Sequence, residues 1–137
     1  MRDAGLPVER RWVQPGVDRG RRDGLDSVRH ILAHPPLPDA IFCFNDIVAM
    51  GVLRGLREAG VLVPDDVAVV AVDDIEEARY SSPSLTSISP DKGRIARTAV
   101  DLLVGRITGT RVGPGELVEV GFELAVREST AGGTIPV

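Results

Sequence analysis

The chain has 137 residues, 43% of them hydrophobic, and a formal net charge of −4, which is enough apolar material for the core of one domain or part of one. That charge balance supplies no overall attraction for nucleic acid, whose binding rests on clustered basic charge. No apolar run approaches the roughly 20 residues of a membrane helix, no signal peptide opens the chain, and the lone Cys43 excludes internal disulfides and fits a reducing cytoplasm.

In chain order, Arg2 to Pro7 reads as the last turn of a helix, with Gly5 as its left-handed stop and Pro7 beyond it. The same wording returns at Arg57-Glu58-Ala59-Gly60 and Pro64, where a helix precedes it. At the N-terminus nothing precedes it, so the chain is expected to be cut from something longer. Arg11 to Val13 reads as a short strand ended by Gln14-Pro15-Gly16. From about Arg21 to His34, Leu25, Val28, Ile31 and Leu32 mark a helix, closed by Pro35-Pro36.

The next stretch, Pro38 to Asp74, carries most of the information. Ile41 to Phe44 is a continuous apolar run, as expected of a strand buried on both faces, and Val67 to Val72 has the same character. Between them Asp46 can cap a helix whose apolar residues Ile47, Met50, Leu53 and Leu56 recur at helical spacing. Gly60 supplies its stop, and strand, helix and strand make one βαβ unit. Each strand runs straight into a polar pair, Asn45-Asp46 and Asp73-Asp74. In an open parallel sheet, ligands sit at the carboxyl ends of the strands. The two pairs therefore form a candidate binding rim.

Downstream, Tyr80 to Pro83 reads as a loop and Leu85 to Ile88 as a short extended segment. Asp91 can cap a further helix with the face Ile95, Ala99, Leu102, Leu103 and Ile107, stopped by Gly109. Leu117 to Val126 alternates as a final strand, and the last residues look frayed. No fixed-period repeat and no low-complexity linker interrupts this order.

Catalysis finds little support, because no G-x-S-x-G turn, phosphate-cradling glycine loop or H-E-x-x-H is present. The two carboxylates at strand ends have no nucleophile or metal partner, so the chain is expected not to be an enzyme and to need no cofactor. His30 and His34 are spaced as a metal pair would be but lack a third ligand, and no metal is expected. Cys43 reads as a small buried hydrophobe. Arg19, Arg21 and Arg22 could meet phosphate, yet Asp18 and Asp23 beside them favour a solvated helix start. Taken alone, Asn45-Asp46 reads as a helix cap and Asp73-Asp74 as loop polarity.

Five pieces in order carry a family resemblance: AGLPV from Ala4, PDAIFCFNDIVAMGVLRGLREAG from Pro38, VPDDVAVVAVDD from Val63, ARYSSPSLTSISP from Ala78, and ELAVREST from Glu123. With them the chain resembles the effector-binding domain of the lactose-repressor/galactose-repressor family of bacterial transcription regulators. The resemblance implies an α/β fold: the parallel-sheet second lobe of a two-lobed, periplasmic-binding-protein-like effector domain, with the first lobe largely missing. Residues 4–89 and 116–129 would form that lobe, and 90–110 the helix that packs on the missing first lobe.

The resemblance also implies a function. A sugar-like small molecule would bind between the lobes, close them and alter operator binding by a repressor. DNA would be met only through a helix-turn-helix that this chain does not contain. Asn45 and Asp73 would hydrogen-bond the ligand, while Asp46 caps its helix and Asp74 orders the following loop. Arg19 stands five before Gly24, where many members place an aromatic that stacks on the ligand, and Ala71-Val72 replace the usual glycine and aromatic. Val48, Val52 and the segment from Ile75 to Ser82, with Tyr80 and Ser81, would lie at a homodimer interface. The alternatives are a headless ligand-binding or dimerisation module and a non-functional truncated gene product. In either, the stripe of the 90–110 helix would stay exposed and promote association.

Overall fold

The computed structural model describes residues 5, 10–14, 16 and 18–130. Four strands, β1 (Ala40–Phe42), β2 (Ala68–Val72), β3 (Thr86–Pro90) and β4 (Phe122–Ala125), form one sheet in sequence order. The first three are parallel, and β4 returns antiparallel to β3. The helices are α1 (Arg21–Leu32), α2 (Asp46–Glu58), α3 (Glu76–Tyr80) and α4 (Lys92–Ile107). The parallel-dominated α/β architecture is therefore as expected.

Local chemistry sets most element ends. Gly60 and Gly109 end α2 and α4 at φ +72° and +71°, the left-handed region where glycine carries no Cβ penalty. Gly5, the one described residue of the first nine, has φ +69°; the helix ending expected around it otherwise lies outside the described residues. The Asp91 Oδ1 caps α4 by accepting from the Arg94 N–H at 2.8 Å. The frayed ending also lies outside the described residues.

The core gathers Val28 of α1, Ala49, Val52, Leu53 and Leu56 of α2, Val69 and Ala71 of β2, and Cys43, Ala78 and Leu85. Helices α1 and α2 cross at glycines. A Cβ on Gly24 would stand 2.1 Å from the Val48 carbonyl oxygen, and one on Gly51 only 1.9 Å from that of Arg21. This crossing turns α2 away from its expected face. Val52 and Ala49 are buried, and Ile47 and Met50 only half so, because α2 meets both the core beneath and α1 beside it.

Four further expectations are corrected. Arg10–Trp12 is a 3-10 turn in place of a strand. Strand β1 is not buried on both faces: Phe42 and Phe44 are each 63% exposed, since among the described residues β1 pairs only with β2. Short helix α3 occupies Glu76–Tyr80, ahead of the expected loop. The final strand covers only Phe122–Ala125, because Pro90 pairs with Phe122 and β3 ends there; beyond that pair Gly121 keeps one bond, accepting from the Asp91 N–H at 3.1 Å.

Past β4 the chain is sewn to β2 and β3 by side chains. The Ser129 hydroxyl donates to the Val69 carbonyl at 2.6 Å and accepts from the Thr86 N–H at 2.8 Å. Glu128 accepts from the Ser84 N–H and hydroxyl at 2.7 and 2.9 Å. By contrast α4 is nearly bare: only Gly105 is buried along it, and Ile95, Leu103 and Ile107 are exposed.

Candidate functional site

Phe42 pairs with Val70 in register, so residues 45 and 73, each three further on, come level at the carboxyl edge of adjacent parallel strands. The two polar pairs expected at the strand ends therefore stand side by side. Their members divide the work differently from the sequence reading.

Asn45, and not Asp46, is the helix cap: its Oδ1 accepts from the Val48 N–H at 2.7 Å. Its Nδ2 donates to the Arg19 carbonyl at 3.3 Å, which brings the 19 loop onto the rim. Asp46 is instead fully buried. Its Oδ1 accepts from the Ser87 hydroxyl at 2.6 Å and its Oδ2 from the Ile75 N–H at 2.8 Å. It thereby pins the start of α2 to β3 and to the loop after β2. Burial pushes the Asp46 carboxyl up, opposed by the Ser87 and Ile75 hydrogen bonds and reinforced by the charges of Asp73 and Asp74.

Asp74 orders its loop, as expected. Its side chain is 7% exposed and pairs through Oδ1 with Nη2 of Arg127, with Arg79 at 3.8 Å from Oδ2. Asp73 differs from its neighbours. Among the described residues its carboxylate takes no hydrogen bond and no ion pair, although its N–H donates to the Ile88 carbonyl at 3.0 Å. The backbone is anchored and the charged group is left over. Asp73 also has φ +115°, a region that side-chain-bearing residues rarely adopt and that costs of order 1–3 kcal/mol when held.

A consequence can be measured. Asp73→Gly is expected to raise stability in urea unfolding by up to about 1 kcal/mol, the relieved strain offset partly by glycine's greater unfolded-state entropy. A loss of stability would mean that the Asp73 carboxylate has a structural role.

Arg19, at φ +53°, lies with its guanidinium carbon 5.1 Å from the centroid of the exposed Phe44 ring. Arg19 itself replaces the expected aromatic, but Phe44 supplies a ring beside it. The sequence reading missed Phe44; the two-residue period that buries Cys43 could have turned it outward. Lys92 was missed as well: its Nζ donates to the Asp73 and Asp74 carbonyls at 2.8 and 2.7 Å.

The candidate dimer residues fare unevenly. Val52 is 1% exposed and belongs to the core, because the glycine crossing draws α1 over it. Tyr80 is 80% exposed, and Val48, Ile75 and Ser81 are half-buried. Among the described residues no group of three or more His, Cys, Asp or Glu could hold a metal; the His30 and His34 rings stack at 4.3 Å between centroids. Burial, with the Asp46 charge adding to it, pushes the Cys43 thiol up to about 12, so at neutral pH it carries no thiolate. No helix among the described residues is long and apolar enough to cross a membrane.

The arrangement gathers several recognition groups at one sheet edge. It offers an aromatic face at Phe44, donors at Arg19 and Asn45, and a firm acceptor at Asp73. Carboxylate and amide groups around an aromatic ring suit a polyhydroxylated ligand.

Comparison with known proteins is consistent with this geometry. Residues 1–130 match the family described as a periplasmic binding protein-like domain. The HTH-type transcriptional repressor PurR of Histophilus somni is 36% identical over 129 residues, 94% of this chain and 38% of that protein. A LacI-type transcription regulator from Bifidobacterium animalis superposes with a TM-score of 0.88 at 36% identity, covering 95% of this chain and 46% of its own. The transcriptional regulator CelR in complex with cellobiose superposes at 0.85, also at 36% identity, over 93% of this chain and 38% of its own. The chain thus spans between 38% and 46% of the length of these three proteins.

Proposed function

The chain belongs to the periplasmic binding protein-like domain family, in the form carried by lactose-repressor-type transcription regulators, and on that premise we propose that it is the second, ligand-sensing lobe of a sugar-responsive repressor. One observation carries the reading: Asp73 is a strained, anchored residue with a carboxylate that takes no hydrogen bond or ion pair among the described residues. It stands level with Asn45 on a rim that also holds Arg19 and Phe44. A neutral sugar hydroxyl donates to Asp73, Asn45 Nδ2 and Arg19 donate to ring or hydroxyl oxygens, and a sugar face lies on Phe44.

The mechanism follows from half a cleft. A ligand held by this wall and by a first lobe favours the closed arrangement over the open one, to the extent that it binds the closed state more tightly. Helix α4, whose apolar stripe is uncovered here, is the element that would pack on the first lobe. Closure would then reach DNA through heads borne elsewhere in the full regulator, in the cytoplasm and as a homodimer using Tyr80, Val48, Ile75 and Ser81.

The test is a calorimetric titration of the 137-residue chain and of Asp73→Asn with mono- and disaccharides, cellobiose among them. Wild type is expected to bind at least one sugar weakly. Asp73→Asn should weaken binding about tenfold or more, the loss of one hydrogen bond to a charged group. Its unfolding should stay within about 0.5 kcal/mol of wild type. Equal binding by both proteins would remove Asp73 from the site.

One observation favours a second reading, a stand-alone dimerisation module. The exposed Ile95, Leu103 and Ile107 of α4 form a stripe that a second copy could cover. Self-association without any sugar response would select it.

A further inference from the structure

We propose that Lys92 is a positioning residue for Asp73, an ammonium clamp that fixes the ligand-facing turn and ties it to α4. The proposal rests on the reading of Asp73 as a ligand contact.

The turn after β2 is held from inside by its amides. The Asp73 N–H donates to the Ile88 carbonyl at 3.0 Å, the Asp74 N–H to the Ser87 hydroxyl at 3.0 Å, and the Ile75 N–H to Asp46 at 2.8 Å. Those bonds leave the carbonyls of Asp73 and Asp74 facing the other way, and Lys92 Nζ takes both, at 2.8 and 2.7 Å. The turn needs such a grip, since Asp73 and Asp74 are successive non-glycine residues at φ +115° and +48°. Conformations of that kind persist only where the surroundings over-determine them. Asp74 is further fixed through its side chain by Arg127, so the direction in which Asp73 presents its carboxylate depends on the backbone alone.

Lys92 suits this task and is poorly placed for any other. It lies in the first turn of α4, immediately after the cap Asp91, where the helix dipole disfavours a cation. It is also the single lysine in a chain that otherwise uses arginine. An ammonium is a compact point charge with three donors and no acceptor, able to bridge two neighbouring carbonyls. Its two partners are backbone carbonyls of consecutive residues, so one side chain holds both peptide units of the turn. Because α4 makes so little contact with the rest of the lobe, Lys92 is its polar link to the rim. A shift of α4 would therefore reorient Asp73, and a ligand on Asp73 would bias α4.

The experiment compares wild type, Lys92→Met and Lys92→Arg as full 137-residue chains by nuclear magnetic resonance without ligand. In Lys92→Met the Asp73 and Asp74 carbonyl resonances are expected to lose their hydrogen-bonded shifts. Amide exchange at Asp73, Asp74 and Ile75 should accelerate about tenfold, the scale of one lost hydrogen bond, while β3 amides keep their rates. Lys92→Arg should restore part of both effects. Unchanged resonances at 73–75, or equal acceleration throughout the sheet, would overturn the clamp.

A second arm repeats the sugar titration. Lys92→Met should bind the responding sugar about tenfold more weakly at a temperature where both proteins are fully folded; equal affinity would overturn the positioning role. If wild type binds no sugar, the sensing function fails, and the ligand-free spectra still decide whether the clamp exists.

Discussion

Replacing Arg127 with alanine is expected to lower stability by about 3–5 kcal/mol, the usual cost of removing one partner from a buried ion pair. The side chains of Arg127 and Asp74 are only 10% and 7% exposed, and Arg127 Nη1 also donates to the Leu85 carbonyl at 2.7 Å. Without Arg127, the ion-pair partner left to the Asp74 carboxylate among the described residues is Arg79, 3.8 Å away and 64% exposed, which solvent screens heavily. Arg127→Lys should recover only part, because one ammonium cannot serve both Asp74 and Leu85 with the geometry of a guanidinium.

The pair also sets an acid limb. Burial pushes the Asp74 carboxyl up, but hydrogen bonds from Arg127 and Ser89 and the charges of Arg127 and Arg79 outweigh it and hold the group below its ordinary value. A carboxylate depressed in the folded state stabilises fully above its unfolded value, about 3.9, and loses that contribution as pH falls through the depressed one. Urea unfolding from pH 7 down to pH 2 should show this loss in wild type. In Arg127→Ala most of it should be gone already at pH 7. A cost below about 1 kcal/mol for Arg127→Ala would mean the pair behaves as a surface pair.

Gly51→Ala is the second large effect, expected at about 3 kcal/mol, the upper end of ordinary overpacking. The new methyl would start 1.9 Å from the Arg21 carbonyl oxygen and 2.8 Å from its carbon. Backbone cannot rotate aside as a side chain can, so α1 and α2 must separate and the contacts of Val28 and Val52 must loosen. Alanine's better helix propensity returns only about 1 kcal/mol. Gly115→Ala serves as the control, with nothing within 4 Å of the same added atom. A Gly51→Ala protein as stable as wild type would show that the two helices do not cross so closely.

The parts of this fold legible in the sequence are those whose signals are local. Strands β1 and β2, helix α2 and the polar pairs after each strand stand within 37 consecutive residues, and the parallel register then has to bring 45 and 73 level. The division between Asn45 and Asp46 was not legible, because either side chain can cap a helix. Ser87, 41 residues on, decides it by holding Asp46 in the core. The burial of Val52 was hidden for a like reason, since it follows from a glycine crossing with no periodic signature of its own. Helix α3 is five residues long, too short for a helical period to show. The exposure of Phe42 and Phe44 goes with β1 pairing, among the described residues, with β2 alone, which an apolar run cannot reveal. Lys92 carries no local signal in the sequence, since its two carbonyl partners lie 18 and 19 residues before it.

The most direct measurement is an amide chemical-shift map of the 137-residue chain titrated with the sugar panel. A half-cleft that senses sugars should show saturable shifts at Arg19, Phe44, Asn45 and Asp73, with the sheet behind them and the α1–α2 crossing unmoved. Shifts centred elsewhere, or none at millimolar sugar concentrations, would contradict the assignment of this rim as the ligand-sensing wall.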